Sequence, residues 1–259
     1  MHATALRIYC VVLLAALSLL VASPVRAAQS QATIAVAANF MPTATLVAGA
    51  FERQYGGYVR LSSGSTGKLY AQIVNGAPFD VFLAADVARP RLLDERGQAV
   101  AGSRFTYAQG RLALVATSAA RTDASQTLSE GKFRRLALAN PKLAPYGLAS
   151  KQVLKALAIW DGTRRQRVTA ENVGQVWAMF ATGNVELAFV ALSQLRAPKL
   201  HKVPVYWLVP VHLHAPIRQD AVQLTRSANN PVATRFVQFL GSPVARVLIE
   251  QAGYELPGL

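Results

Sequence analysis

From Thr33 onward, short apolar runs of strand type alternate with amphipathic helical patterns along this chain. Thr33 to Ala37 (TIAVA) reads as a buried strand, Thr43 to Tyr55 as a helix with Pro42 near its first turn, and Tyr58 to Ser62 as a second strand. A helix over Lys68 to Asn75, a strand over Val81 to Ala84 and a short helix from Pro90 to Gly97 follow. Such a β-α-β-α-β order predicts parallel strands with helical crossovers. Beyond it, Arg111 to Ala116, Leu136 to Ala139, Val185 to Val190 and Val203 to Leu208 read as strands. Helices are expected over Gly147 to Leu157, Val173 to Thr182, Pro231 to Leu240 and Pro243 to Gln251. The pattern predicts an α/β protein of two doubly wound lobes. Residues 28–108 form the first part of lobe one, 109–206 form lobe two, and 207–259 cross over and return to lobe one. The crossing strands are expected near 107–111 and 205–215.

The first 27 residues read as a leader rather than as fold. Arg7 gives a short basic start, Tyr9 to Ala22 is apolar, and Val25-Arg26-Ala27 fits a small-residue cleavage site. An apolar run of about 14 residues is short for a membrane span. The expectation is a cleaved signal peptide and a periplasmic mature protein. The one cysteine, Cys10, lies inside this segment, so the mature chain is expected to have no disulfide and no thiol chemistry. About 230 residues remain, enough for an ordinary hydrophobic core.

The full chain carries 27 basic and 13 acidic residues. A net positive charge of this size raises the local concentration of anions. Its basic residues are scattered and interleave with few aromatics, which argues against nucleic acid as a partner. The densest cluster, Arg164 to Arg167 (RRQR), reads as a solvated loop.

Four helix starts share a character. Ala37 to Pro42 (AANFMP) precedes the first helix, with Asn39 as a natural capping residue, and Gly64 to Lys68 (GSTGK) precedes the second. Asn140 to Gly147 (NPKLAPYG) and Thr169 to Gln175 (TAENVGQ) precede two helices of lobe two. GSTGK looks like a nucleotide phosphate loop, but that loop needs glycine where this chain has Ser62 and a hydroxyl where it has Leu69. What survives is a Gly/Ser/Thr turn opening a helix, whose unpaired amides and partial positive charge favour an oxyanion. In doubly wound sheets such starts gather at the carboxyl ends of the strands. Two facing lobes could therefore enclose one anion with amides and hydroxyls alone.

The segments AVAANF, SSGSTGKLYAQI, NGAPFDVFLAAD, NPKLAPYG and ENVGQVWAMFATGNVELAFV carry a resemblance. In order and spacing they resemble the periplasmic molybdate-binding proteins of ABC importers, over about residues 32 to 256. The resemblance implies the type II periplasmic binding protein fold, closing on molybdate or tungstate without a cofactor or a metal cation site. It implies an ABC permease with its ATPase as partner, and a monomer. Carried over by position, the ligand contacts fall on Asn39, with Ala38 contributing backbone, and on Thr66 in lobe one. In lobe two they fall on Tyr146 and on the amide of Val173. Many relatives place a ligand-binding Tyr where this chain has Ala191. A branch that lacks it carries Asn in the first motif and Tyr in the third, as here, so Tyr146 is expected to compensate with its hydroxyl.

Other residues of chemical interest read more plainly. His212 and His214 would share one face of a surface strand, without a third metal ligand nearby in sequence. Asp80 and Asp86 are expected to hold loops or the lobe interface rather than to form an acid–base pair. Ser63, Ser65 and Ser118 lack the G-x-S-x-G elbow of a hydrolase nucleophile. Lys68 is expected to add to the general positive field, and Trp160 and Trp177 to pack on apolar helix faces. The sequence therefore points to a binding protein rather than an enzyme. The alternatives are a sulfate- or thiosulfate-type oxyanion binder and an exported hydrolase of anionic esters.

Overall fold

The computed structural model describes residues 31–117, 123–198, 200 and 202–257. The expected leader over residues 1–27, and Ser118, lie outside them. The chain builds two five-stranded mixed sheets.

In the first sheet, β1 (Gln31–Ala37) lies between β2 (Tyr58–Gly64) and β3 (Val81–Leu83), parallel to both. The connecting helices are α1 (Met41–Tyr55) and α2 (Thr66–Val74), and α3 (Ala88–Glu95) follows β3. This is the β-α-β-α-β unit expected from the alternating pattern. Two further strands complete the sheet, the first of them the crossing strand expected near 107–111. They are β4 (Phe105–Gly110) and β10 (Ile217–Gln223), and β10 runs antiparallel to both β3 and β4. β10 is absent from the sequence reading, because its polar residues hide the apolar alternation of a strand.

The second sheet has the order β7-β6-β8-β5-β9. Its strands are β5 (Leu112–Ala116), β6 (Leu136–Ala139), β7 (Arg167–Ala170), β8 (Leu187–Ala191) and β9 (Val205–Leu208). β6 is parallel to β7 and β8, while β5 is antiparallel to β8 and β9. The helices of this half are α4 (Ala124–Ser129), α5 (Pro145–Ala156), α6 (Val173–Ala181) and the single turn α7 (Leu192–Leu195). The chain leaves the first sheet after Gly110 and leaves the second after Leu208. It then returns through β10 to α8 (Pro231–Leu240) and α9 (Pro243–Gln251).

These last helices pack on the first sheet. Phe236 and Phe239 of α8 meet Phe51 of α1 with ring centroids 5.4 and 5.7 Å apart, in a core shared with Ile34 and Val36. Truncating such a buried phenylalanine costs about 3–5 kcal/mol. A separate core covers the other face of the sheet around Phe82, Leu69 and Leu93. The second sheet has its own core around Leu114, Phe189 and Leu136.

Several local expectations need correction. His212 and His214 do not share a strand face: Val211–Leu213 is one 3₁₀ turn between Pro210 and Pro216, which cannot donate ladder hydrogen bonds. His214 is buried with Nδ1 2.7 Å from Ala215 O, and burial lowers its pKa. Trp160 lies outside the helices, in the turn before β7, half-buried under the guanidinium of Arg167 at 3.5 Å. Arg167 also bonds the Trp160 carbonyl, so the end of RRQR is held rather than free. Trp177 packs against the second core from α6, as expected.

Gly147, in the first turn of α5, shows how tightly helix and sheet approach. A Cβ there would lie 2.2 Å from Ala139 O and 2.6 Å from Ala139 C, both backbone atoms of β6. Gly147→Ala is expected to destabilise the protein by about 1–3 kcal/mol, a fall in Tm of about 2–12 °C. Gly162→Ala, whose added methyl would meet nothing closer than 3.9 Å, should leave Tm nearly unchanged in the same thermal melts.

Candidate oxyanion site

Adjacent parallel strands end level with one another in both sheets. β1 and β2 end at the paired residues Ala37 and Gly64, and β6 and β7 at the paired residues Ala139 and Ala170. Each of these four strands is followed by a helix start, and the four starts line one small cavity between the sheets. Its wall consists of residues 37–39, 64–66, 144–146 and 172–173 together with Ala85. The cavity is narrow, with about 10 Å³ open to a water-sized sphere, far below the roughly 300–1,000 Å³ of sites for drug-sized ligands. No lining residue carries a charged side chain.

Three of the four helices, α1, α2 and α5, begin two residues earlier than the sequence pattern indicates, which matters for the site, while α6 begins at Val173 as expected. Ser65 caps α2, accepting from the Lys68 amide through Oγ, so Thr66 is the first helical residue. Pro145 opens α5, which places Tyr146 in its first turn. Asn172 caps α6 by accepting from the Gln175 amide at 3.0 Å, which places Val173 first. First-turn amides have no acceptor four residues back. Among the described residues, the amides of Asn39, Thr66, Tyr146 and Val173 donate to no protein acceptor.

Thr66 is buried, and its Oγ1 accepts from the Ala85 amide at 3.1 Å, leaving the hydroxyl proton to be donated elsewhere. Ala38 differs, because its N–H is already donated to Gly64 O at 3.0 Å. It lines the cavity as wall, and the available amide of this turn is that of Asn39.

The Asn39 side chain does not cap α1. The helix is capped by Phe40 without any side-chain bond. Instead Asn39 donates one Nδ2 proton to Gln219 Oε1 at 2.9 Å and the other to the Tyr254 hydroxyl at 3.1 Å. With both donors committed, the residue can serve an anion only through its backbone N–H.

The Tyr146 phenol is engaged by other parts of the chain. Its hydroxyl oxygen lies beside Gly110, where an added Cβ would be only 2.0 Å away, and 3.5 Å from Gln219 Nε2. Neither Gly110 nor Gln219 lines the cavity. Tyr146 itself lines the cavity from its helix-start position, and its hydroxyl also meets the Asn39 side chain. Ala191 itself is buried, and its amide donates to Gln194 Oε1 at 3.0 Å.

Sequence reading missed the residues behind these. Tyr107, Tyr254, Ser193, Gln194 and Gln219 are all buried. Gln194 Nε2 donates to Val173 O at 3.2 Å, and Ser193 Oγ donates to Asn39 O at 3.0 Å. The rings of Tyr107 and Tyr254 pack edge-on against Phe40 at 4.8 and 5.3 Å. Burial pushes the hydroxyl pKa of Tyr107, Tyr146 and Tyr254 upward, so all three stay neutral. No local motif marks these residues, because their partners lie tens to hundreds of positions away.

The rim joins the two halves. The Gly67 amide donates to Leu143 O at 2.8 Å, and Arg89 Nη2 donates to Lys142 O at 3.1 Å. Arg89 is steadied by an ion pair with Asp86, and Asp80 accepts from the Thr33 amide and pairs with Arg226. Both carboxylates thus hold loops or the interface, as expected. Lys68 does not act as a free positive charge, because its Nζ lies 2.9 Å from Glu171 Oε2 across the rim.

Two sheet-based halves facing each other over a small cavity walled by helix starts define a two-lobed α/β binding protein. The comparisons with known proteins agree. Residues 32–255 match the family described as bacterial extracellular solute-binding protein, and the chain belongs to that family. It is 44% identical to the molybdate-binding protein ModA of Azotobacter vinelandii, over 92% of this chain and 94% of that one. It is 38% identical to the molybdate-binding protein ModA of Rhodobacter capsulatus, with the same coverage. The solved periplasmic molybdate-binding protein of Azotobacter vinelandii superposes with a TM-score of 0.82 at 40% identity, covering 88% of this chain and all of that one.

Thr66→Ala removes a hydroxyl donor facing the cavity and leaves the buried Ala85 amide unpaired. It is expected to weaken anion binding by about 1.5–3 kcal/mol, roughly tenfold to a hundredfold. Thr66→Ser keeps the hydroxyl and should bind within about threefold of the parent, as should Val173→Ala, which keeps the amide. Isothermal titration of the three variants with molybdate checks this.

Proposed function

We propose that this protein captures molybdate or tungstate in the periplasm, encloses it between its two lobes, and delivers it to an ABC permease with its ATPase. The observation that carries the reading is the uncharged cavity at which four helix starts converge, two from each sheet. An anion bound there is met by amide and hydroxyl dipoles already aimed at it, each hydrogen bond to a charged group contributing about 1.5–3 kcal/mol. No carboxylate lines the cavity, so nothing reads a remaining proton, and a fully deprotonated tetrahedral oxyanion fits better than phosphate. The close relatives named as molybdate-binding proteins support the choice among such anions.

Capture takes place in two steps. The anion first meets the Asn39 and Thr66 turns of one lobe, and closure then brings the Tyr146 and Val173 starts onto it. The Gly67–Leu143 bond and the Lys68–Glu171 pair form as the rim meets. The scattered positive charge of the chain draws anions toward the cleft but does not touch the bound one. The protein acts as a monomer, without cofactor or catalytic residue, and its cargo is the oxyanion. A cleaved leader over residues 1–27 accounts for its export, and nucleic acid is not a partner.

Molybdate and tungstate are expected to bind at least about a hundredfold more tightly than sulfate or phosphate, a gap of about 2.7 kcal/mol. A calorimetric series with the four anions measures it. If sulfate competes with molybdate at equal concentration, the assignment moves to a sulfate-type binder.

A further inference from the structure

Gln219 lies on β10, the strand by which the chain re-enters the first sheet, at a shift in register between Gln219 and Asp220. Its side chain is wholly buried. Oε1 accepts from Asn39 Nδ2 at 2.9 Å and from the Tyr107 hydroxyl at 3.2 Å. Nε2, the other end of the same amide, lies 3.5 Å from the Tyr146 hydroxyl oxygen. Asn39 and Tyr107 belong to the first lobe, where Asn39 sits in the turn that lines the cavity. Tyr146 belongs to the second lobe and lies in the helix start on the opposite wall. One planar amide thus addresses both walls of the cavity without lining it.

The arrangement has little slack. An amide has one acceptor end and one donor end, and rotating Gln219 by half a turn would set Nε2 against the Asn39 Nδ2 donor. Asn39 cannot readily turn to meet it, because its other Nδ2 proton is held by Tyr254. Tyr254 is in turn bonded to Ser193 Oγ of the second lobe at 2.9 Å. At Gly110, where the chain leaves the first sheet, any Cβ would collide with both the Tyr146 hydroxyl and Gln219 Nε2, at 2.0 and 2.7 Å. The contact between Gln219 and Tyr146 therefore requires the lobes to be together and requires glycine at the crossing.

We propose that Gln219 is a positioning residue for oxyanion retention: it fixes the Asn39 turn from behind and, through Tyr146, ties that turn to the opposing helix start only when the lobes are closed. This rests on the oxyanion-binding reading given above. A bond made only in the closed state slows opening and leaves the first encounter unchanged, so its loss falls on the dissociation rate.

The test is stopped-flow measurement of molybdate association and dissociation, with thermal melts alongside. Gln219→Met, similar in volume but without the amide, is expected to release molybdate about tenfold faster while associating within about twofold of the parent rate. Tyr146→Phe removes only the limb between the lobes and should release molybdate about three- to tenfold faster. The double variant should release it more slowly than the product of the two single effects, because the changes share the Gln219–Tyr146 link while the Tyr146 hydroxyl also meets Asn39. A folded Gln219→Met protein that releases molybdate at the parent rate, even with a lowered Tm, overturns the proposal. So does a double variant in which the two effects multiply. If Gln219→Met does not fold, Tyr146→Phe decides alone, and an unchanged release rate overturns the proposal. A parent protein that binds neither molybdate nor tungstate overturns the functional reading itself, which separates that failure from this one.

Discussion

Amide groups left unpaired in the first turn of a helix are the interaction around which this molecule is arranged. A parallel strand followed by a helix puts such a turn at the strand's carboxyl end. Two adjacent parallel strands put two of them side by side, as at Ala37 and Gly64. The second sheet repeats the device at Ala139 and Ala170. Facing the two halves then brings four helix starts together around one cavity. Buried amides without partners are costly in an apolar setting. The same geometry that leaves them unsatisfied makes the cavity selective for a ligand that accepts hydrogen bonds from every side.

The chain is strongly basic, yet its cavity is lined by no charge, and the two facts serve different steps. Long-range positive potential acts on encounter and is screened by salt. A lysine or arginine inside the cavity would bring its own desolvation cost and would hold many anions alike. Fixed dipoles add no net charge and match a particular shape. Lys68 illustrates the separation: it follows the Thr66 helix start closely, but Glu171 takes up its charge at the rim.

Behind the cavity, a buried set of neutral hydroxyls and amides does the work of alignment. Three tyrosines, Asn39, Ser193 and Gln219 satisfy one another across both lobes. Polar groups this deep are costly unless nearly all their bonds are made, and making them selects one relative placement of the two lobes. Gly110 shows the steric side of that selection, since the crossing strand has no room for a side chain where Tyr146 and Gln219 meet.

Legible in the sequence alone are the alternation of strands and helices, the parallel unit of the first lobe and the polar turns that open the helices around the cavity. These are local features, because apolar periodicity and polar turns ahead of a helix are read within a few residues. Ser65 and Asn172 as caps and Pro145 in a first turn emerge from the structure. The sequence did not reveal β7, whose run RVTA is only half apolar, or β10, because Gln219 and Asp220 are polar residues that are nonetheless buried. Asp220 is satisfied by Arg104 and Thr106, more than a hundred positions away. Nor could it say that Asn39 turns its side chain away from the cavity, that Tyr146 sends its hydroxyl toward Gly110, or that His212 and His214 occupy a 3₁₀ turn. Whether a polar group faces the ligand or another part of the chain depends on which distant partner reaches it first. Only the packing of one lobe against the other decides that.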